Sequence, residues 1–165
     1  MKRSVFALLF AISTPYAAEQ LPAVDALLTH HGQELRNARF PEGLPETTEA
    51  DIDALTSKLG LAAIPDQLRL FFLNFSHKVY PARTLVTPQA RFHETAVGII
   101  QAAWDTGVPK THLPFCEDNS DYYCINLIDG SVGLWSHETK TFADDYYWES
   151  FVDWVQKDWA PLFEI

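Results

Sequence analysis

The sequence predicts an α+β fold in which an antiparallel β-meander packs against N-terminal helices and a C-terminal helix closes the domain. Three observations carry this. Apolar residues recur at helical spacing as far as Trp104. After Lys110 the pattern shortens to strand-like runs, rich in aromatic and β-branched residues and separated by turn formers. From Trp148 to Trp159 the helical spacing returns, with Trp148, Phe151, Val152, Val155 and Trp159 on one stripe. Helices, then a meander, then a helix is the order that places helices against a sheet.

The chain has 165 residues, 47% hydrophobic and 21% charged, which fits one compact domain. Eleven Phe, six Tyr and five Trp supply the apolar area for its core. No apolar run reaches the roughly 18 residues that span a bilayer, so no membrane association is expected of the mature chain.

At the N-terminus, Lys2 and Arg3 precede the apolar run Val5 to Ile12, and Ala17-Ala18 follow. Residues 1–18 read either as a secretory signal or as an N-terminal extension. A cut after Ala18 would put the bulky Tyr16 where a small residue is usual, and a cut after Ala17 would put Pro15 there. The folded domain is expected over 21–165, with its core at about 46–159.

Pro22 to Leu35 has helical spacing at Val24, Leu27, Leu28 and Leu35, and the Pro/Gly-rich stretch Phe40 to Pro45 ends it. Thr48-Glu49-Ala50-Asp51 is a capping-box pattern ahead of Ile52, Leu55 and Leu59, and Gly60 stops that helix. Pro65-Asp66 open another, striped with Leu68, Phe71, Phe72 and Phe75. Lys78 to Pro88 reads as a loop with a short strand at Thr84 to Thr87. Thr95 to Trp104 is a third helix, with Ala96, Val97, Ile100 and Trp104 on one side.

Leu113 to Cys116, Tyr122 to Ile128 and Ser131 to Trp135 form the meander, joined through Glu117 to Asp121 and through Asp129-Gly130. Alternation puts Tyr123, Ile125 and Leu127 on the core side and leaves Tyr122, Cys124 and Asn126 on a more polar side. In a regular pairing Cys116 and Cys124 share a face and are neighbours. Two cysteines eight apart with no second pair do not make a zinc site. They read as small buried hydrophobes, with a disulfide open to them only in an oxidising compartment.

The net charge of −10 is unevenly placed. Beyond Thr111 there are eleven acids and only Lys140 and Lys157, so that segment holds −9 of it. Such a field repels nucleic acid and anionic membranes and accelerates the approach of a basic protein. The candidate contact residues are the turn acids Glu117, Asp118 and Asp121, the pair Asp144 and Asp145 before the last helix, and the rings of Tyr122, Trp135, Tyr146 and Tyr147. Each carboxylate has solvation as its competing role, and each ring has packing.

Catalytic patterns are sparse. Cys116 with His112 or His137 supplies the residue types of a thiol nucleophile and its base, but those types are common. No Gly-rich phosphate loop and no G-x-S-x-G occurs, and His30-His31, being consecutive on a helix, point apart. No enzyme and no cofactor is expected.

The order of the capped helix Thr48 to Gly60, then Ile64-Pro65-Asp66, then LPFCEDNSDYYCINLIDGSVGLWSHE from Leu113 to Glu138, then WESFVDWV from Trp148 to Val155 resembles the SMI1/KNR4, or SUKH, superfamily. The likeness covers roughly Val24 to Trp159, and the meander is its specific part. The segment Ala103 to Pro109 is similar to a bacterial subgroup. The resemblance implies a non-enzymatic binding domain. Many bacterial relatives are immunity proteins that neutralise toxins, commonly nucleases, while eukaryotic ones are regulatory scaffolds. It implies as partner a basic toxin domain encoded nearby, or, in the scaffold reading, no toxin at all. It assigns no contact residue. It also implies a cytoplasmic location, against which a cleaved 1–18 segment would place the protein in the periplasm or outside the cell.

Overall fold

Thr48 accepts a hydrogen bond from the Asp51 amide on its Oγ1 (3.3 Å), and the Asp51 carboxylate accepts one from the Thr48 amide (2.8 Å). This reciprocal box opens α1, Glu49–Leu59, the first element of the computed structural model, which describes residues 46–76, 84–88 and 95–163. The 1–18 segment, the expected helix Pro22 to Leu35, the Phe40 to Pro45 break and residues Lys78 to Arg83 of the expected loop lie outside the described residues. Gly60, at φ +67, ends α1 in the left-handed conformation that a side chain would disfavour. Helix α2, Asp66–Phe75, follows Pro65, and α3, Ala96–Asp105, starts where Thr95 Oγ1 accepts from the Gly98 amide (3.1 Å).

The sheet has five antiparallel strands in sequence order: β1 Thr84–Leu85, β2 His112–Asp118, β3 Asp121–Asn126, β4 Val132–Ser136 and β5 Thr141–Trp148. The three expected meander strands are therefore its centre. Thr141–Trp148 is an additional strand where the sequence suggested only an approach to the last helix. That helix does not begin at Trp148, which ends β5. It is α4, Phe151–Trp154, capped by Ser150 Oγ accepting from the Asp153 amide (3.1 Å), and it continues as a π-helical turn Val155–Trp159 and a 3-10 turn Ala160–Phe163.

One face of the sheet packs on helices through rings. Phe115 meets Phe151 at 5.1 Å and Trp154 at 4.8 Å, Tyr123 meets Trp154 at 5.4 Å, and Phe71 from α2 meets Phe151 at 5.1 Å and Trp159 at 5.2 Å. Several are edge-to-face, the arrangement that sets a ring's positive edge against a neighbour's negative face. Ile52, Leu68, Ile100 and Ile125 fill the space between.

Two irregularities change what simple alternation implies. In β2, Pro114 pairs with Cys124 but Cys116 pairs with Tyr123, so Phe115 is an extra residue. This bulge turns Cys116 to the Tyr123 side, whereas Cys124, next to Tyr123 in its strand, points the other way. The two cysteines do not share a face, and both are buried with no disulfide between them. The second face is also less polar than alternation suggested. Cys124 and Trp135 are buried there, and the Phe142 ring meets Trp135 at 5.2 Å and His112 at 4.6 Å. Gly133 makes room for it, since a Cβ at that position would stand 3.0 Å from Phe142 Cδ1. The turn after α3 leans on the same layer, with Gly107 close to the edge of the Trp135 ring and Trp104 Nε1 donating to the His112 carbonyl (2.9 Å).

The second irregularity lies in β5. Gly133 pairs with Tyr147 and Trp135 with Phe142, so Leu134 alone faces the four residues Ala143 to Tyr146.

Candidate functional site

The acidic residues singled out from the sequence fall on two parts of the meander. At the β2–β3 hairpin the turn itself is only Asn119-Ser120, with both φ positive (52° and 73°), as a two-residue type I′ connection requires. Glu117, Asp118 and Asp121 are therefore strand residues, and Asp118 pairs with Asp121 across the hairpin. Asp121 is already engaged. Its Oδ1 accepts from the His137 amide (2.8 Å) and lies 2.7 Å from His137 Nδ1. Asp118 accepts from Asn119 Nδ2 (3.1 Å).

Register places Glu117, Tyr122, Trp135 and Phe142 in one row across four strands. Within that row Trp135 is only 6% exposed, its ring packed against Phe142 and Gly107. Trp135 therefore supplies packing to this face and no accessible contact surface. Tyr122 is half-buried beside it.

Asp144, Asp145, Tyr146 and Tyr147 lie on β5, at the edge of the sheet. All four are exposed in succession, the two tyrosines by 44% and 64%. Among the described residues no hydrogen bond or ion pair engages Asp144 or Asp145. Reading the sequence found these residues but not the strand that presents them. It also missed that His137 holds Asp121 and that Phe142 covers Gly133. Gly-Leu-Trp against Thr-Phe-Ala was the available signal for a β4–β5 hairpin.

Two titratable groups beneath this surface respond to burial. Desolvation pushes His112 below the ordinary histidine pKa, partly countered by the nearby Asp129 carboxylate, and burial pushes the Cys124 thiol well above the usual cysteine value. Cys116 and His112 stand on opposite faces of the sheet, and the Cys116 thiol is fully buried, so this pair does not assemble a nucleophile and its base. Among the described residues no three His, Cys, Asp or Glu side chains are grouped to hold a metal ion, and no helix is long and apolar enough to cross a membrane.

A family model described as SMI1-KNR4 cell-wall (SUKH_5) matches residues 28–160. The chain belongs to the SMI1-KNR4 family. A crystal structure of a protein from Pseudomonas syringae pv. tomato is similar to it, with 31% identity and a TM-score of 0.67 over 81% of this chain and 99% of that one. No curated protein matches. SMI1-KNR4 domains are generally non-enzymatic binding domains, with which a bulged, ring-packed meander and an exposed acidic edge are consistent.

Proposed function

We propose that this SMI1-KNR4 domain is an immunity-type protein that binds and neutralises a cognate basic toxin through the acidic surface of its meander. The observation behind this reading is the exposed Asp144-Asp145-Tyr146-Tyr147 run on the sheet edge, in the segment that holds nearly all the net negative charge. A nuclease is the toxin class such a surface fits best, because its substrate groove is cationic and carboxylates compete there with phosphate. Aromatic side chains next to the carboxylates add the apolar anchoring that charge alone lacks.

Coexpression with the toxin candidate encoded next to this protein, scored for growth, tests the reading. The expected result is rescue together with a stoichiometric complex whose affinity falls as salt rises. Growth arrest without a complex ends it, as does a complex that survives charge reversal of Asp144 and Asp145 undiminished.

A further inference from the structure

Leu127 and Ile128 are neighbours in the turn between β3 and β4, yet they meet opposite surroundings. Leu127 packs against the core, whereas Ile128 is 81% exposed, more than any other large hydrophobic side chain among the described residues. Tyr147 comes next at 64%, but a tyrosine has a hydroxyl to offer water and an isoleucine has no polar atom at all.

The backbone that carries Ile128 is closed by hydrogen bonds. The Asn126 amide donates to the Ser131 carbonyl (2.8 Å), the Leu127 amide to the Thr111 carbonyl (2.8 Å) and the Gly130 amide to the Asn126 carbonyl (2.9 Å). The Ile128 amide donates to Asn126 Oδ1 (2.9 Å) and the Ser131 amide to Asp129 Oδ1 (2.9 Å). Gly130 takes the left-handed position, at φ +79°, so the turn makes no special demand on residue 128. A polar side chain would serve this turn equally well and would suit water better.

These features suit a contact with another molecule. Branching at Cβ restricts χ1 in advance and the closed turn fixes the backbone, so docking Ile128 orders little that is not already ordered. An apolar pocket on a protein is what can receive it. A bilayer gains too little from one side chain, and the −9 held beyond Thr111 repels anionic lipid. The same charge sets two copies of this chain against each other and favours a basic partner.

We infer that Ile128 is an apolar anchor that enters a pocket on a basic protein partner, while the acidic charge of the meander steers the approach. The inference rests on the toxin-binding reading above and adds to its carboxylates the desolvated apolar contact that holds a complex once formed.

The experiment uses the full chain and the purified toxin candidate encoded next to it, with calorimetry at 0.05 and 0.5 M salt. Ile128→Thr keeps the branched shape but puts a hydroxyl where the pocket is apolar, and it should weaken binding roughly 10- to 100-fold, the loss of one buried aliphatic side chain. Ile128→Val removes one methylene and should weaken it about fourfold. Both factors should be nearly the same at the two salt concentrations, because burial of apolar surface is not screened. Urea unfolding should find both variants as stable as the parent, since residue 128 lies in water. A marked stability loss in Ile128→Thr would show that the side chain packs within its own domain and would overturn the inference, as would a dimer in sedimentation that Ile128→Thr dissolves. If the parent binds the candidate and Ile128→Thr binds equally well, the toxin reading stands and the anchor alone is lost. If the parent forms no complex, the toxin reading falls and the anchor falls with it.

Discussion

His137 clasps Asp121 across the sheet, its backbone amide and ring nitrogen both directed at one carboxylate oxygen, at 2.8 and 2.7 Å. The contact ties the turn after β4 to the start of β3, so the tip of the β2–β3 hairpin is held by the β4–β5 hairpin. Both side chains are partly open to water, which limits the worth of the pair. Asp121→Ala is expected to lower stability by about 1 kcal/mol, and Asp121→Asn by less because an acceptor oxygen remains. Urea unfolding of both variants checks the order.

Gly133 and Phe142 form a second pairing that a substitution can probe. A Cβ on Gly133 would lie 3.0 Å from Phe142 Cδ1 and 3.4 Å from Cε1, so the ring must give by a few tenths of an ångström while Trp135 and His112 pack against it. Gly133→Ala should cost about 1–3 kcal/mol, as overpacking does. In the Phe142→Ala background the same change should cost much less. A double-mutant cycle measures the difference, and simple additivity would show that the ring does not rest on Gly133.

How far the sequence reaches is visible in these same residues. Both end signals of α1, the Thr48–Asp51 box and Gly60, are local and were legible, as were the Leu68-Phe71-Phe72 stripe and the three central strands. What alternation misjudged came from bulges. Phe115 as an extra residue turned Cys116 away from Cys124, and four β5 residues against Leu134 hid a strand whose exposure does not alternate. A bulge is specified by the partner strand and the packing around it, which a single strand's pattern does not contain. Trp135 fell among the contact candidates for a related reason. Its burial depends on Gly107 and Phe142, far from it in α-helical or strand spacing but adjacent on the folded face.

The two groups shifted by burial, His112 and Cys124, give stability opposite dependences on pH. His112 has a lowered folded pKa, so its contribution is full above the unfolded value near 6.5 and is lost as pH falls through the folded value. His112→Gln should flatten the stability profile between about pH 6.5 and the acid limb relative to the parent chain. Cys124 has a raised folded pKa, so its contribution is full below the unfolded thiol value and declines as pH rises past it. Cys124→Ala should remove that alkaline decline. Chemical denaturation from pH 5 to 10 reads both, and a parent profile flat at either end contradicts the corresponding assignment.

Reactivity of the thiols follows from the same burial. Cys116 and Cys124 are the only cysteines, and the bulge sets them on opposite faces of the sheet. A thiol without water around it has little thiolate to react. In the native chain neither should be titrated by a colorimetric disulfide reagent at neutral pH, and both should react in guanidinium chloride. Oxidants should not produce an intramolecular disulfide in the native chain, which a mass shift of the intact protein would reveal.

Ser120 occupies a conformation that suits glycine better. Its φ of +73° and the +52° of Asn119 satisfy the two-residue turn, and asparagine tolerates this region through its short polar side chain while serine gains no such relief. Ser120→Gly creates the Asn-Gly pair that this turn type favours most. The gain from relieved strain exceeds the extra freedom that glycine confers on the unfolded chain, so the variant should be more stable by roughly 0.5–1 kcal/mol. For a chain of this size that corresponds to about 1–4 °C in Tm. Thermal unfolding followed by circular dichroism checks the sign. A lower Tm would mean that the hairpin tip does not hold Ser120 in the left-handed region, and with it the strand assignments of Glu117, Asp118 and Asp121 around a two-residue turn would fall.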